Sequence, residues 1–342
     1  MKDELTYEQL VMIAGGHSAF QLLWAGLELG VFAALSKKPG MSRQEIARAA
    51  NIESQPARIL MTGLTALKLV VKDGDSYRNS ALIEQFGVPG SPQNMIDVMG
   101  WQAHVVYPGE MDFVDALREN RNVGLARFPG EGGTLYQRLA HDPKLERIFH
   151  KAMSSLSRSA NAMLVQLGEF ASVRHLVDLG GGDGTNVIAL AKANPDLVAS
   201  VFDAPSVCQQ AAANIAQHGL EERVKTHPGN FFLDDFPADV EGVLLAHIMT
   251  IWSAEKNVAL LRRAYDALPS GGRVFVFNMM GADDESGPLS TALGSPYFLT
   301  IATGEGMLYS WREYEEFLGQ AGFSDTRRIE LPREHGLLIA QK

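Results

Sequence analysis

Basic side chains are in deficit: 30 lysines and arginines stand against 40 aspartates and glutamates, a formal net charge of −10 over 342 residues. A surface of that sign repels nucleic-acid phosphates and anionic lipid, so neither nucleic acid nor membrane is expected as a partner. Cysteine is nearly absent. Cys208 stands alone, which excludes an intramolecular disulfide and suits a reducing cytoplasm, the expected location. Its alanine-rich surroundings mark a packed side chain rather than a nucleophile. Long hydrophobic runs are missing too: residues 18–35 come nearest and are broken by Gln21, Glu28 and two glycines. The first five residues are acidic and hold no signal core. No spaced set of histidines and carboxylates suggests a metal.

What is present divides the chain. Residues 5–36 have helical periodicity, and within them 18–35 read as a helix that buries one face, as a contact between two subunits would. A capping-box spacing at Ser42 and Glu45 starts a short helix, Gln55-Pro56 opens a second one, and residues 70–77 carry two apolar arms around Asp73-Gly74. Helix, helix, hairpin is a winged helix-turn-helix. Its second helix has only Arg58 as a charge, too few phosphate contacts for a DNA groove, so a scaffold or dimerisation unit is expected. Residues 1–95 are assigned to this domain, 96–165 to a helical linker and 166–342 to a third region. Within the linker, Phe149 and Met153 recur at helical spacing with other apolar residues.

Beyond Arg174, strands alternate with helices. Strands are expected at 175–179, 199–203, 224–227, 242–249, 273–279, 327–331 and 336–341, and helices at 186–193, 206–217, 253–268 and 310–321. Alternation of this kind implies a doubly wound α/β parallel sheet with its ligand at the carboxyl ends of the strands. The first strand empties into a glycine turn, Asp178-Leu-Gly180-Gly-Gly182-Asp-Gly184. Its D-x-G-x-G-x-G spacing, with Thr185 in the third small-residue slot, disfavours a dinucleotide. Asp178 would repel a pyrophosphate and suits the ammonium of a methionine moiety, so S-adenosylmethionine (SAM) is the better guest. Asp203 ends the second strand where a carboxylate accepts both ribose hydroxyls. Asn230 and Phe231 follow the third, placed to accept from an adenine amine and to cover the ring. Trp252, Tyr297 and Met307, near strand ends or in the loop-rich stretch 281–304, suit a flat aromatic acceptor.

On these residues the chain resembles the class I SAM-dependent methyltransferases, and within them the small-molecule O-methyltransferases of plants and bacteria. The matching stretches are 176–184, 201–205, 229–232, 251–253, 267–272 and 310–314, with Asp142-Pro143 and residues 149–153 resembling the family's pocket-forming helix. The resemblance implies a Rossmann-like seven-stranded SAM-binding sheet, an N-terminal, mostly helical winged-helix dimerisation domain, a homodimer, and a small aromatic acceptor. It places Gly180 and Gly182 against SAM, Asp203 on the ribose, and Asn230 and Phe231 around the adenine.

The family's catalytic positions are altered. Its usual His-Asp-Trp reads Thr250-Ile251-Trp252 here, and its two flanking glutamates are replaced by Asn278 and Leu308. Threonine is no general base near neutral pH. Three readings follow: O-methylation without a base, with Thr250 and Asn278 orienting the acceptor; carbon or nitrogen methylation; or non-methylating use of SAM. His247 is the remaining titratable candidate, on the opposite face from Thr250 if the strand stays regular. His104 and His150 could roof the pocket. A ligand-sensing winged-helix regulator and an NAD-dependent oxidoreductase are the competing assignments.

Overall fold

The chain divides into two compact units, one up to Ala103 and one from His104 onward. This computed structural model describes residues 4–139 and 141–342, with the backbone alone at 159 and 161. Of the residues read as a linker, 96–103 group with the first unit and 104–165 with the second.

In the first unit the periodicity of residues 5–36 resolves into three helices, Tyr7–Ala14, Gly16–Glu28 and Val31–Lys37. Gly30, at φ +69°, takes the left-handed turn between the last two. No single helix among the described residues is long and apolar enough to cross a membrane. The capping box forms, with Glu45 accepting from Ser42 N–H at 2.8 Å, and it starts the helix Arg43–Ala49 ahead of Ser54–Ala66. Three short strands follow the winged pattern: β1 (Met41–Ser42), β2 (Val70–Asp73) and β3 (Ser76–Asn79), in the order β1-β3-β2. The hairpin loop is Gly74-Asp75 rather than Asp73-Gly74, because Asp73 pairs with Ser76. Phe32, Leu35, Ile46, Met61 and Leu64 close this unit's core.

The second unit is built on seven strands: β4 (His175–Leu179), β5 (Val198–Asp203), β6 (Val224–Pro228), β7 (Gly242–Ala246), β8 (Arg273–Met279), β9 (Ser324–Glu330) and β10 (His335–Gln341). Their order is β6-β5-β4-β7-β8-β10-β9. The first five run parallel, and β10 lies antiparallel to both β8 and β9. The expected all-parallel sheet is thus a mixed one, because the last two strands form a hairpin with no helix to cross between them. Both faces are covered, Val177, Leu245 and Val276 packing on one side and Leu176, Val201 and Phe275 on the other. Burial on both faces explains why these strands read as near-continuous apolar runs.

Candidate active site

The strand β4 delivers the glycine turn. Gly180 and Gly182 sit at φ +66° and +59°, conformations that side chains rarely adopt. A β-carbon at 182 would meet nothing within 4 Å, so that edge of the turn is open to a ligand's close approach. One at 180 would lie 2.5 Å from Ile248 Cδ1, so Ile248 covers the other edge. Asp178, expected to meet a ligand's ammonium, has no exposed surface and lies beneath Gly181. No donor meets its oxygens in good hydrogen-bond geometry among the described residues. Burial, with the charges of Asp203 and Asp183 adding to it, pushes its carboxyl up to about 8, although the Asn186 side chain lies near enough to pull its pKa partly back. Asp183, which no motif singled out, braces the turn: it accepts from Thr185 N–H at 3.1 Å, from the Thr185 hydroxyl at 2.6 Å, and from Ser154 of the helix Pro143–Val165.

An open cleft of about 360 Å³ lies beyond β5 and β6 and is lined by Asp203, Asn230 and Phe231 with Pro205 and Asp234. Asp203 accepts from Gly182 N–H at 3.0 Å and from Ala204 N–H at 2.7 Å, which ties the cleft to the glycine turn. Burial raises its pKa, while those two amides and nearby His150 pull it back. Asn230 is exposed, and its carbonyl oxygen already accepts from Phe232 N–H at 3.0 Å within its own turn. Phe231, Phe232 and Trp252 form an aromatic row with ring centroids 5.0 and 5.1 Å apart.

Past β7 the sequence expectation fails instructively. The strand stops at Ala246 instead of running to Met249, because His247 turns the backbone at φ +57° into a 3-10 turn, Met249–Ile251. Strand alternation therefore says nothing about which way His247 and Thr250 face. The half-buried His247 ring lies 5.1 Å from Phe277 and 5.3 Å from His335 between centroids. Burial, then the neighbouring His335, lowers its pKa to about 3, so the ring is neutral. Thr250 donates its hydroxyl to the His247 carbonyl at 3.1 Å. Asn278 is fully buried, and neither end of its amide has a partner among the described residues. With Leu308 as the third member, these positions hold no proton acceptor.

The candidate acceptor residues separate into groups. Phe149 packs its ring 5.8 Å from Tyr136, whose hydroxyl is hydrogen-bonded to that of Tyr297. Tyr136 carried no sequence signal beyond helical spacing. Met153 is half-buried one turn along the helix from Phe149. Trp252 instead joins the cofactor-side row, its carbonyl held by the Tyr309 hydroxyl at 2.7 Å and Lys256 over its ring. Met307 is 43% exposed.

Residues 111–324 match the family model of the O-methyltransferase domain, and residues 11–86 that of the O-methyltransferase dimerisation domain. The chain is 39% identical to an L-tyrosine C(3)-methyltransferase of Streptomyces lavendulae, over 100% of this chain and 94% of that protein. It is 30% identical to a 3-hydroxy-5-methyl-1-naphthoate 3-O-methyltransferase of Streptomyces sahachiroi, over 97% and 94%. Among solved structures, the SAM-dependent methyltransferase SibL in its apo form superposes with a TM-score of 0.86 at 39% identity, covering 98% of this chain and 99% of that one. Human N-acetylserotonin methyltransferase in complex with SAM gives 0.86 at 25% identity, covering 100% and 99%. A glycine turn leading into a nucleoside-sized cleft, on a chain matched along nearly its whole length, thus has one explanation: the protein belongs to the O-methyltransferase family and is a SAM-dependent methyltransferase.

Proposed function

We propose that this enzyme methylates a ring carbon beside the hydroxyl of a small phenolic acceptor. The observation that carries this reading is the loss of every acid/base position, with Thr250, Asn278 and Leu308 where the family holds a histidine and two glutamates. Oxygen methylation of an ordinary phenol needs a group to take its proton at the moment of attack. A ring carbon ortho to the hydroxyl attacks with the ring's own electrons, and its proton leaves afterwards, when the ring becomes aromatic again. The 39% identity to an L-tyrosine C(3)-methyltransferase supports the same choice.

The residues present fit SAM. Gly182 leaves the outer edge of the turn open to the close approach of a ligand, and Asp203 keeps lone pairs for ribose hydroxyls beside its two amide bonds. Phe231 and Asn230 would flank the adenine. Bound there, SAM supplies an electrophilic methyl group and leaves as the thioether. The chain's own part is to hold the acceptor carbon close, through Phe149, Met153 and Tyr297, and to keep water out. His247, neutral and without a hydrogen bond on its ring among the described residues, is the group to receive the departing proton. Two copies are expected to pair through the N-terminal domain.

Incubation with SAM carrying a deuterated methyl and a panel of phenols, followed by NMR of the product, tests this. An aryl-methyl product with the hydroxyl intact is expected. A methoxy product would favour base-free O-methylation, the reading kept by the family model and by the naphthoate 3-O-methyltransferase relative. His247→Asn, which tolerates positive φ, should leave SAM affinity unchanged and lower kcat by less than about tenfold, since the proton leaves after the methyl group has been transferred.

A further inference from the structure

Four acidic residues lie between positions 110 and 119, and three are paired. Asp112 is held by Arg127 at 2.6 Å, Asp115 by Arg118 at 3.3 Å, and Glu119 by Arg121. The fourth, Glu110, is half-buried and has no hydrogen bond or ion pair on its carboxylate among the described residues. Arg127, a cation of this stretch, is fully engaged in a two-pronged contact with Asp112. A carboxylate taken partly out of water with no partner is costly, and burial pushes Glu110 up to about 7.

Its place in the fold is specific. A β-carbon at Gly109 would lie 2.5 Å from Ile301 Cδ1, and one at Gly124 would press on the Gly109 carbonyl and lie 3.0 Å from Thr300 Cγ2. The turn carrying Glu110 is therefore packed against Thr300 and Ile301. Thr300 is fully buried, and its hydroxyl lacks a partner among the described residues. The same segment reaches the end of β7: Thr303 donates to the Ile251 carbonyl, and Gly306 lies against the main chain of Thr250 and Ile251. Two uncompensated polar side chains, Glu110 and Thr300, thus lie on segments packed together, and the chain after Thr300 runs on to the main chain of Thr250 and Ile251.

From this arrangement we infer that Glu110 binds the ammonium of the acceptor, so that the enzyme selects amine-bearing phenols such as aromatic amino acids. Thr300 offers a hydroxyl to the same polar head. The inference rests on the phenolic-acceptor reading and extends it, since that reading alone does not require a charged acceptor. An ammonium would supply the counter-charge that Arg127 cannot give, and in a half-dry site such pairs strengthen.

The test compares L-tyrosine, tyramine and 3-(4-hydroxyphenyl)propionate, which lacks the amine, with wild type and Glu110→Gln. For wild type, KM should be at least about 30-fold lower for the two amines than for the acid. Glu110→Gln should erase that preference by raising KM for the amines about 30-fold, with kcat within about threefold and SAM affinity unchanged. Calorimetric binding of tyramine to enzyme saturated with the demethylated cofactor gives a second readout that needs no turnover. Equal tyramine binding by wild type and variant, or no binding to either, overturns the inference. Phenols methylated without preference for amines would overturn the role of Glu110 and leave the phenolic reading standing. Tyramine bound through Glu110 but never methylated on carbon would do the reverse.

Discussion

Asp178 and Asp203 end neighbouring strands, and burial puts them to different uses. Asp203 meets two backbone amides and opens on the cleft, whereas Asp178 is sealed beneath the turn and pushed up to about 8. The folded state keeps a proton on Asp178 that the unfolded chain gives up near its ordinary pKa of 3.8. Stability from this group is therefore greatest at low pH and falls as pH rises from about 4 toward 8, by up to about 1.4 kcal/mol per unit. Thermal melts should show Asp178→Asn gaining on wild type across that window. A constant difference would show that Asp178 does not hold its proton. For Asp203→Ala, calorimetry should find SAM binding at least about tenfold weaker, because the Gly182 amide is released along with the ribose acceptor. Unchanged affinity would remove Asp203 from the site. Asp203 was legible because strand end and residue type coincide. The burial of Asp178 was not, since the glycines that make a turn tight also let it close over the side chain beneath.

Elements were readable where a local rule sets them and obscure where a distant partner does. The capping boxes at Ser42 and Ser310 and the core strands follow from spacing. The reversed β10 does not, because an apolar run reports burial and not direction. The exit of β7 was hidden for a related reason: residues 242–249 are nearly all compatible with a strand, and only the positive φ of His247 ends it early. Glu110 and Tyr136 carried no motif, their surroundings being set in part by residues 297–301, more than a hundred positions away. The bond from Ser154 to Asp183, across 29 residues, belongs to the same class. It ties the helix bearing Phe149 and Met153 to the cofactor turn. Removing it with Ser154→Ala should cost about 1 kcal/mol in urea melts and weaken SAM binding several-fold. A variant that loses stability but keeps full SAM affinity would confine the bond to a structural role.

At the scale of the whole molecule, the first helix, Tyr7–Ala14, stands out because it buries none of its own residues. Tyr7 is 78% exposed and Ile13 68%, with Leu10, Val11 and Met12 each at least half exposed. An apolar face of that extent on an acidic chain is unlike an ordinary solvated surface. It borders the region matched by the dimerisation model, which begins at residue 11. A second copy laying the same helix against it would bury both faces at once, as a two-fold interface requires. Sedimentation should accordingly give a particle near twice the chain mass of 37.2 kDa. Ile13→Glu would place a charge in the middle of that contact, and burying it unpaired costs several kcal/mol, so dissociation toward the single-chain mass is expected. A variant that stays dimeric would move the interface to another face of the domain. Loss of turnover on dissociation, with SAM affinity intact, would show that the acceptor site depends on pairing although the cofactor cleft does not.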